Sequence, residues 1–76
     1  MTRWVACKRR DFIRCLRKLG FIGPFPGAKH KYMSYGHRNL SIPNDRKYDV
    51  GKLKIMIDEV ENIIGRKISA DEWNNL

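Results

Sequence analysis

Apolar residues recur at helical spacing from about Lys8 to Leu19. Phe12, Ile13, Leu16 and Leu19 make one face, and Arg10, Arg14, Arg17 and Lys18 fall opposite. Gly20 is a natural stop for this helix, whereas no Ser, Thr, Asp or Asn directly precedes its start. Phe21 to Pro26 reads as an irregular or edge strand, because Gly23, Pro24 and Pro26 interrupt it. His30 to Tyr35 has the aromatic and apolar bulk of a strand in Tyr32, Met33 and Tyr35. Gly36-His37 makes a short turn, and Arg38 to Ile42 pairs back. Leu40 and Ile42 alternate with Asn39 and Ser41, which gives that strand one buried and one wet face. Pro43-Asn44-Asp45 ends it.

A second helix is predicted from Asp49 to Ile64, with Asp49 as its N-cap and Leu53, Met56, Ile57, Val60 and Ile64 as its apolar stripe. Gly65 closes it. Ser69 and Glu72 then have capping-box spacing, so a short last helix starts there and Trp73 anchors it to the body. The order implies an α+β fold in which both main helices cover one face of a single antiparallel sheet. Phe12, Leu16, Met33, Leu40, Leu53, Ile57 and Val60 are expected to share one core. With 76 residues, the stretch 1–76 is one domain, with no room for a cofactor-binding fold or a deep cavity. Function belongs on a surface or in a shallow cleft.

Charge sharpens this picture. Residues 1–54 carry 14 Lys/Arg against 3 Asp/Glu, residues 55–76 carry 2 against 5, and the net charge is +8. A basic body with an acidic tail points to a polyanion such as RNA, because cations that replace counterions on phosphates gain affinity by releasing them. No apolar run approaches the ~20 residues of a membrane span. Met1 to Arg10 lacks the apolar stretch of a signal peptide, so a cytoplasmic protein is expected. Cys7 and Cys15, placed near or on one helix, would lie roughly 12 Å apart at the helical rise, too far for a disulfide. No pair among Cys7, Cys15, His30 and His37 has the close spacing of a zinc site, so neither metal nor cofactor is expected.

Gly27-Ala28-Lys29-His30-Lys31-Tyr32-Met33 is the stretch with chemical content. A small-residue turn delivers His30 to the start of a strand with a lysine on each side. Gly27 and Ala28 let a phosphate approach the backbone, and Lys29 and Lys31 are placed to hold a phosphodiester. Histidine is the residue type suited to proton transfer at neutral pH, although a histidine at a strand start is also a common surface or packing residue. Alternation puts His30 with Tyr32 and Ser34 on the open face if Met33 and Tyr35 face the helices. Tyr32 and Tyr35 are candidates for stacking on bases or for packing. Arg38, Arg10, Arg14 and Arg17 are further candidates for phosphate contact, against the plain alternative of a solvated helix face. His37, in its turn, reads as an exposed residue without a role.

Several short motifs carry a family resemblance. Arg10 to Ile13, then Leu16-Arg17-Lys18-Leu19-Gly20-Phe21, then Gly23-Pro24, resemble the first helix and loop of HicA-family (YcfA-like) toxins. Gly27 to His30 is similar to that family's Gly-Ser-x-His signature, with Ala28 at the small-residue position. Ile42-Pro43-Asn44 looks like the end of its last strand, and Ile68 to Trp73 looks like the tail of one branch. The matches run in order over nearly the whole chain. The resemblance implies a double-stranded-RNA-binding-domain-like fold, helix-strand-strand-strand-helix with a short C-terminal helix. It also implies a toxin that cleaves mRNA independently of the ribosome, with His30 as the catalytic histidine and a HicB-like antitoxin that covers the site. The chain departs from the pattern at Lys29 and Lys31, where many relatives have a second histidine or a small residue, and at Asn44-Asp45, where further basic residues are usual.

Three functions follow as alternatives: an endoribonuclease of a toxin–antitoxin pair, a non-catalytic RNA-binding module, and a protein-interaction domain whose basic face docks an acidic partner. The behaviour of a His30→Ala protein separates the first two.

Overall fold

The periodic apolar positions of two helices close over one face of a three-stranded sheet. The computed structural model describes residues 2–76. In chain order the elements are β1 (Cys7–Lys8), α1 (Arg9–Leu19), β2 (Ile22–Phe25), β3 (Lys31–Tyr35), β4 (Arg38–Ile42), β5 (Lys47–Tyr48), α2 (Val50–Ile64) and α3 (Ala70–Asn74). The fold is α+β, with the helix-strand-strand-strand-helix order and the short last helix expected from the sequence. The sheet is antiparallel with strand order β2-β3-β4. Met33 pairs with Leu40, and both are buried beneath the helices. α1 lies over β2, and α2 lies over β4.

Local chemistry sets the boundaries. Gly20 ends α1 at φ 112°, and its N–H closes onto the Arg17 and Leu16 carbonyls. Asp49 caps α2 by accepting from the Lys52 amide at 2.8 Å. Ser69 caps α3 by accepting from the Glu72 amide at 3.1 Å. Glu72 does not complete a reciprocal box, because its carboxylate is taken by the Arg66 guanidinium in a two-pronged pair at 2.8 and 2.7 Å. β2 is an edge strand, as its glycine and proline require. Its register against β3 shifts between Ile22 and Phe25, the mark of a bulge around Gly23-Pro24.

Two features correct the sequence reading. The strands do not form one sheet. A second, two-stranded ribbon pairs Cys7 with Tyr48 and Lys8 with Lys47. Cys7 therefore belongs to β1 and not to a helix, and the helical spacing that separated it from Cys15 does not apply. Both cysteines are free thiols lining one shallow depression. Burial pushes the Cys7 thiol up to about 11, with Cys15 and Asp11 adding to the shift and Arg14 opposing it.

The ribbon contributes Tyr48, which is completely buried. Its ring meets Phe12 edge-on at 5.5 Å, and Phe12 in turn meets Trp73 at 5.2 Å. Phe12 thus joins α1, the ribbon and α3, while Leu16, Met33, Leu40, Leu53, Ile57 and Val60 fill the rest of the expected core. Phe12→Ala is expected to cost about 3–5 kcal/mol, measured by urea denaturation, since it removes both aromatic contacts and leaves a cavity. A loss under 1 kcal/mol would show that the three elements hold together without it. Thiol alkylation supplies a second check. Cys7, protonated until well above the ordinary thiol range, should react with iodoacetamide at pH 8.5 several-fold more slowly than an unhindered thiol peptide, and unfolding in urea should abolish the difference.

Candidate nucleic-acid interface

β3 begins immediately after a tight bend formed by Ala28, Lys29 and His30. The histidine is thus the last residue of the loop and not the first of the strand. Gly27, Lys29, His30 and Lys31 are all exposed. The bend is so close that a Cβ on Gly27 would stand 2.2 Å from the His30 carbonyl oxygen and 3.4 Å from a ring carbon of Tyr32. Glycine at position 27 therefore fixes where His30 emerges. This is a backbone role in addition to the phosphate approach read from the sequence.

The twofold alternation of β3 then divides the candidates. Met33 points into the core, so Lys31 and Tyr35 share its side, and Tyr32 and Ser34 face away from the helices. On the open face Tyr32 packs against Phe25 at 5.6 Å, and the Ser34 hydroxyl donates to Asn39 Oδ1 at 2.7 Å. Ile22, 60% exposed, lies in register with Ser34 on the same sheet. Tyr35 is not available for base stacking, because it packs against Phe21 at 5.1 Å on the helix side.

Gly27, Lys29, His30 and Tyr32 therefore gather at the start of β3. Lys31 does not share the face of Tyr32. It turns toward the first turn of α1 and lies with Arg10. Arg38 is in register with Tyr35, at the opposite end of β3 from Lys31. At ~3.3 Å per residue the two cations are separated by roughly 13 Å along the strands, so they do not hold one phosphate. Arg14 and Arg17 line the outer side of α1. Arg17 has a structural task there. Its Nε and Nη2 both donate to the Gly23 carbonyl, at 3.0 and 2.8 Å, which ties α1 to the bulged strand. Arg14 stands 3.8 Å from Asp11 in an exposed pair of small energetic weight. His37 is exposed in its turn, as expected.

The sequence reading missed Lys8, Arg9, Arg46 and Lys47, which come together beside Lys31 and Arg10. Their signal was present as the runs Lys8-Arg9-Arg10 and Arg46-Lys47. What was missing was the β1–β5 pairing that joins them. Among the described residues no three His, Cys, Asp or Glu side chains come together as a metal-binding group, and no helix is long and apolar enough to cross a membrane.

A Gly27→Ala substitution is expected to displace the bend while leaving the core in place. Amide shifts should move from Phe25 to Met33, with a stability loss of about 1–3 kcal/mol, the usual range for overpacking. An unchanged spectrum around His30 would show that the loop absorbs the methyl group without moving the histidine. In comparisons with known proteins, no family model, curated protein or solved structure matches the chain.

Proposed function

We propose that the chain is an endoribonuclease of the HicA type, the toxin half of a toxin–antitoxin pair, that cuts mRNA with His30 as its catalytic group. The observation that carries this reading is the placement of an exposed His30 on a bend that only glycine at position 27 permits, with Lys29 beside it and the Tyr32 ring against the same bend. The basic half of the chain supplies the attraction for the RNA backbone.

The chemistry that fits is transesterification. The imidazole of His30 takes the proton of a ribose 2′-hydroxyl, and the 2′-oxygen bonds to the adjacent phosphorus. The P–O5′ bond breaks, and the 5′-oxygen leaves as a hydroxyl after receiving a proton. The products are a 2′,3′-cyclic phosphate and a 5′-hydroxyl end. Lys29 stabilises the charge that builds on the phosphoryl oxygens, and Lys31 holds a neighbouring phosphate from the other side of the strand. One imidazole does not act as base and acid at once, so the 5′-oxygen is protonated by a second group, for which the hydroxyl of Tyr32, whose ring lies against the bend, is the candidate. A HicB-like antitoxin would act by covering the bend and the open sheet face with Ile22, Phe25 and Tyr32.

One observation favours a second reading, a non-catalytic RNA-binding module. None of the four ion pairs among the described residues includes His30, so no carboxylate orients its ring. The experiment that separates the two readings is cleavage of a labelled RNA by the wild type and by His30→Ala. The nuclease reading expects the substitution to lower the rate about 10²–10⁴-fold with binding retained. It expects cutting to survive a chelator, and 2′-O-methyl RNA and DNA to bind uncut. Wild-type protein that binds RNA without cutting it, or a His30→Ala protein that cuts at the wild-type rate, would remove His30 from catalysis.

A further inference from the structure

The most strongly charged feature of the molecule lies away from His30, where the β1–β5 ribbon meets the start of α1. A cleft of about 810 Å³ is lined there by six cations, Lys8, Arg9, Arg10, Lys31, Arg46 and Lys47, with Asn44 the only other lining residue. They come from three stretches of the chain, and backbone geometry holds them together. Lys8 and Lys47 are direct cross-strand partners. The Arg9 amide donates to the Arg46 carbonyl at 2.9 Å, and Arg9 Nε donates to the Pro43 carbonyl at 3.1 Å. Lys31 is in register with Ile42, immediately before that same loop.

Nothing among the described residues neutralises this cluster. Residues 1–54 hold three acids, Asp11, Asp45 and Asp49. Each is engaged elsewhere: Asp11 with Arg14, Asp45 with Lys52, and Asp49 as the cap of α2. None of the ion pairs among the described residues uses a cation of the cleft. Like charges placed directly across a ribbon are destabilising. Cations at the beginning of a helix also oppose its dipole. Folding alone therefore disfavours this arrangement, and an external anion is what relieves it.

We infer that this cleft is a binding site for the phosphodiester backbone of an RNA strand. The inference rests on the reading above only in taking RNA as the polyanion. A polymer fits better than a single phosphate because the cationic surface continues. Arg9 and Arg10 also line the adjoining depression along α1, with Arg14, Arg17 and Lys18. An 11-residue helix spans roughly 16 Å, the axial rise of about five nucleotides at 3.4 Å per phosphate of one strand. Lys31 links the cleft to the bend, since it lines the one and adjoins His30 in the other.

The test compares two triple variants that lose the same charge. Lys8→Gln/Arg46→Gln/Lys47→Gln removes three of the six cations of the cleft and leaves Arg10, Lys31 and Arg9, which holds the Pro43 carbonyl, intact. Arg3→Gln/Lys54→Gln/Lys67→Gln removes three exposed cations elsewhere. Binding of a fluorescent 2′-O-methyl RNA of about 12 nucleotides is titrated across salt concentrations, with polyglutamate of matched charge as the second probe. The cleft triple is expected to weaken RNA binding roughly tenfold to a hundredfold at 0.1 M salt and to flatten the plot of log affinity against log salt by about 2, at ~0.7 for each phosphate no longer neutralised. The control triple should change the slope by less than half as much. Thermal melting of the cleft triple should match or exceed the wild type, because a like-charge pair is gone. If the triple does not fold, Arg46→Gln alone should flatten the slope by about 0.7. Equal effects of the two triples, or polyglutamate binding as tightly as RNA, would overturn the inference. The two proposals fail separately. A wild type that binds through the cleft but never cuts RNA overturns the nuclease alone, and a cleft triple that binds and cuts like the wild type overturns the cleft alone.

Discussion

The carbonyl of Pro43 ties the core to the charged surface. It accepts from the Tyr48 hydroxyl at 2.7 Å and from Arg9 Nε at 3.1 Å. A fully buried phenol needs a hydrogen-bond partner, and desolvation raises the Tyr48 pKa, which keeps the hydroxyl a donor. The same oxygen gives Arg9 a fixed direction at the start of α1. One acceptor thus sets the depth of Tyr48 beside Phe12 and the position of the loop that carries Arg46 and Lys47. The packing of Phe12 and the geometry of the cationic cleft are consequences of one local arrangement.

The two halves of the chain handle charge in opposite ways. In the C-terminal part Glu61, Asp71 and Glu72 are engaged within the fold. Glu72 is held below the ordinary carboxylate range by its hydrogen bonds to Arg66, and Glu61 accepts from the Ile68 amide at 2.7 Å and stands 3.7 Å from Lys67. These contacts set the turn between α2 and α3 and hence the approach of Trp73 to Phe12. Because the folded pKa of Glu72 is lowered, its stabilising effect is present above the unfolded carboxylate range and fades as pH falls through the folded value. The pair is exposed, so salt screens it. The N-terminal half leaves most of its cations without partners, and in a small domain that repulsion draws on a thin stability margin. Such a division suits a molecule whose shape is maintained at one end and whose ligand is met at the other.

The parts of the fold that the sequence disclosed are those with a repeated local pattern. Both long helices, their glycine stops, the Asp49 cap and the strands at Lys31–Tyr35 and Arg38–Ile42 follow from spacing over several residues. The β1–β5 ribbon does not. Each of its strands has two residues, too few to show a period, and the partners are 39 and 41 positions apart, so no turn between them marks the pairing. Tyr48 was hidden for that reason, between Lys47 and Asp49, although it is the largest fully buried side chain. The reciprocal half of the capping box failed because a guanidinium offers a carboxylate two charged donors, whereas the backbone amide offers one neutral donor. Of the candidate site, the bend and its histidine were legible in Gly27 to His30. The separation of Lys31 from Tyr32 required knowing which side of β3 faces the core.

That separation bears on how one ligand would use both surfaces. Lys31 and Tyr32 are consecutive, but the strand turns one toward α1 and the other toward the open face. A backbone lying in the cleft reaches His30 only by passing around the starting edge of β3, where the exposed bend of residues 28–30 lies. A straight rigid rod cannot follow that corner, and a single strand can, because its phosphates are not held on a common axis. The corner also explains why the bend is built so closely. A side chain at position 27 would push the His30 carbonyl outward at the point where the path turns, and the distance between the last phosphate held by Lys31 and the imidazole would change with it. On the proposed reading, the bend at Gly27 would govern the alignment of the ribose beside His30, and the cleft would govern how much of the strand is held there.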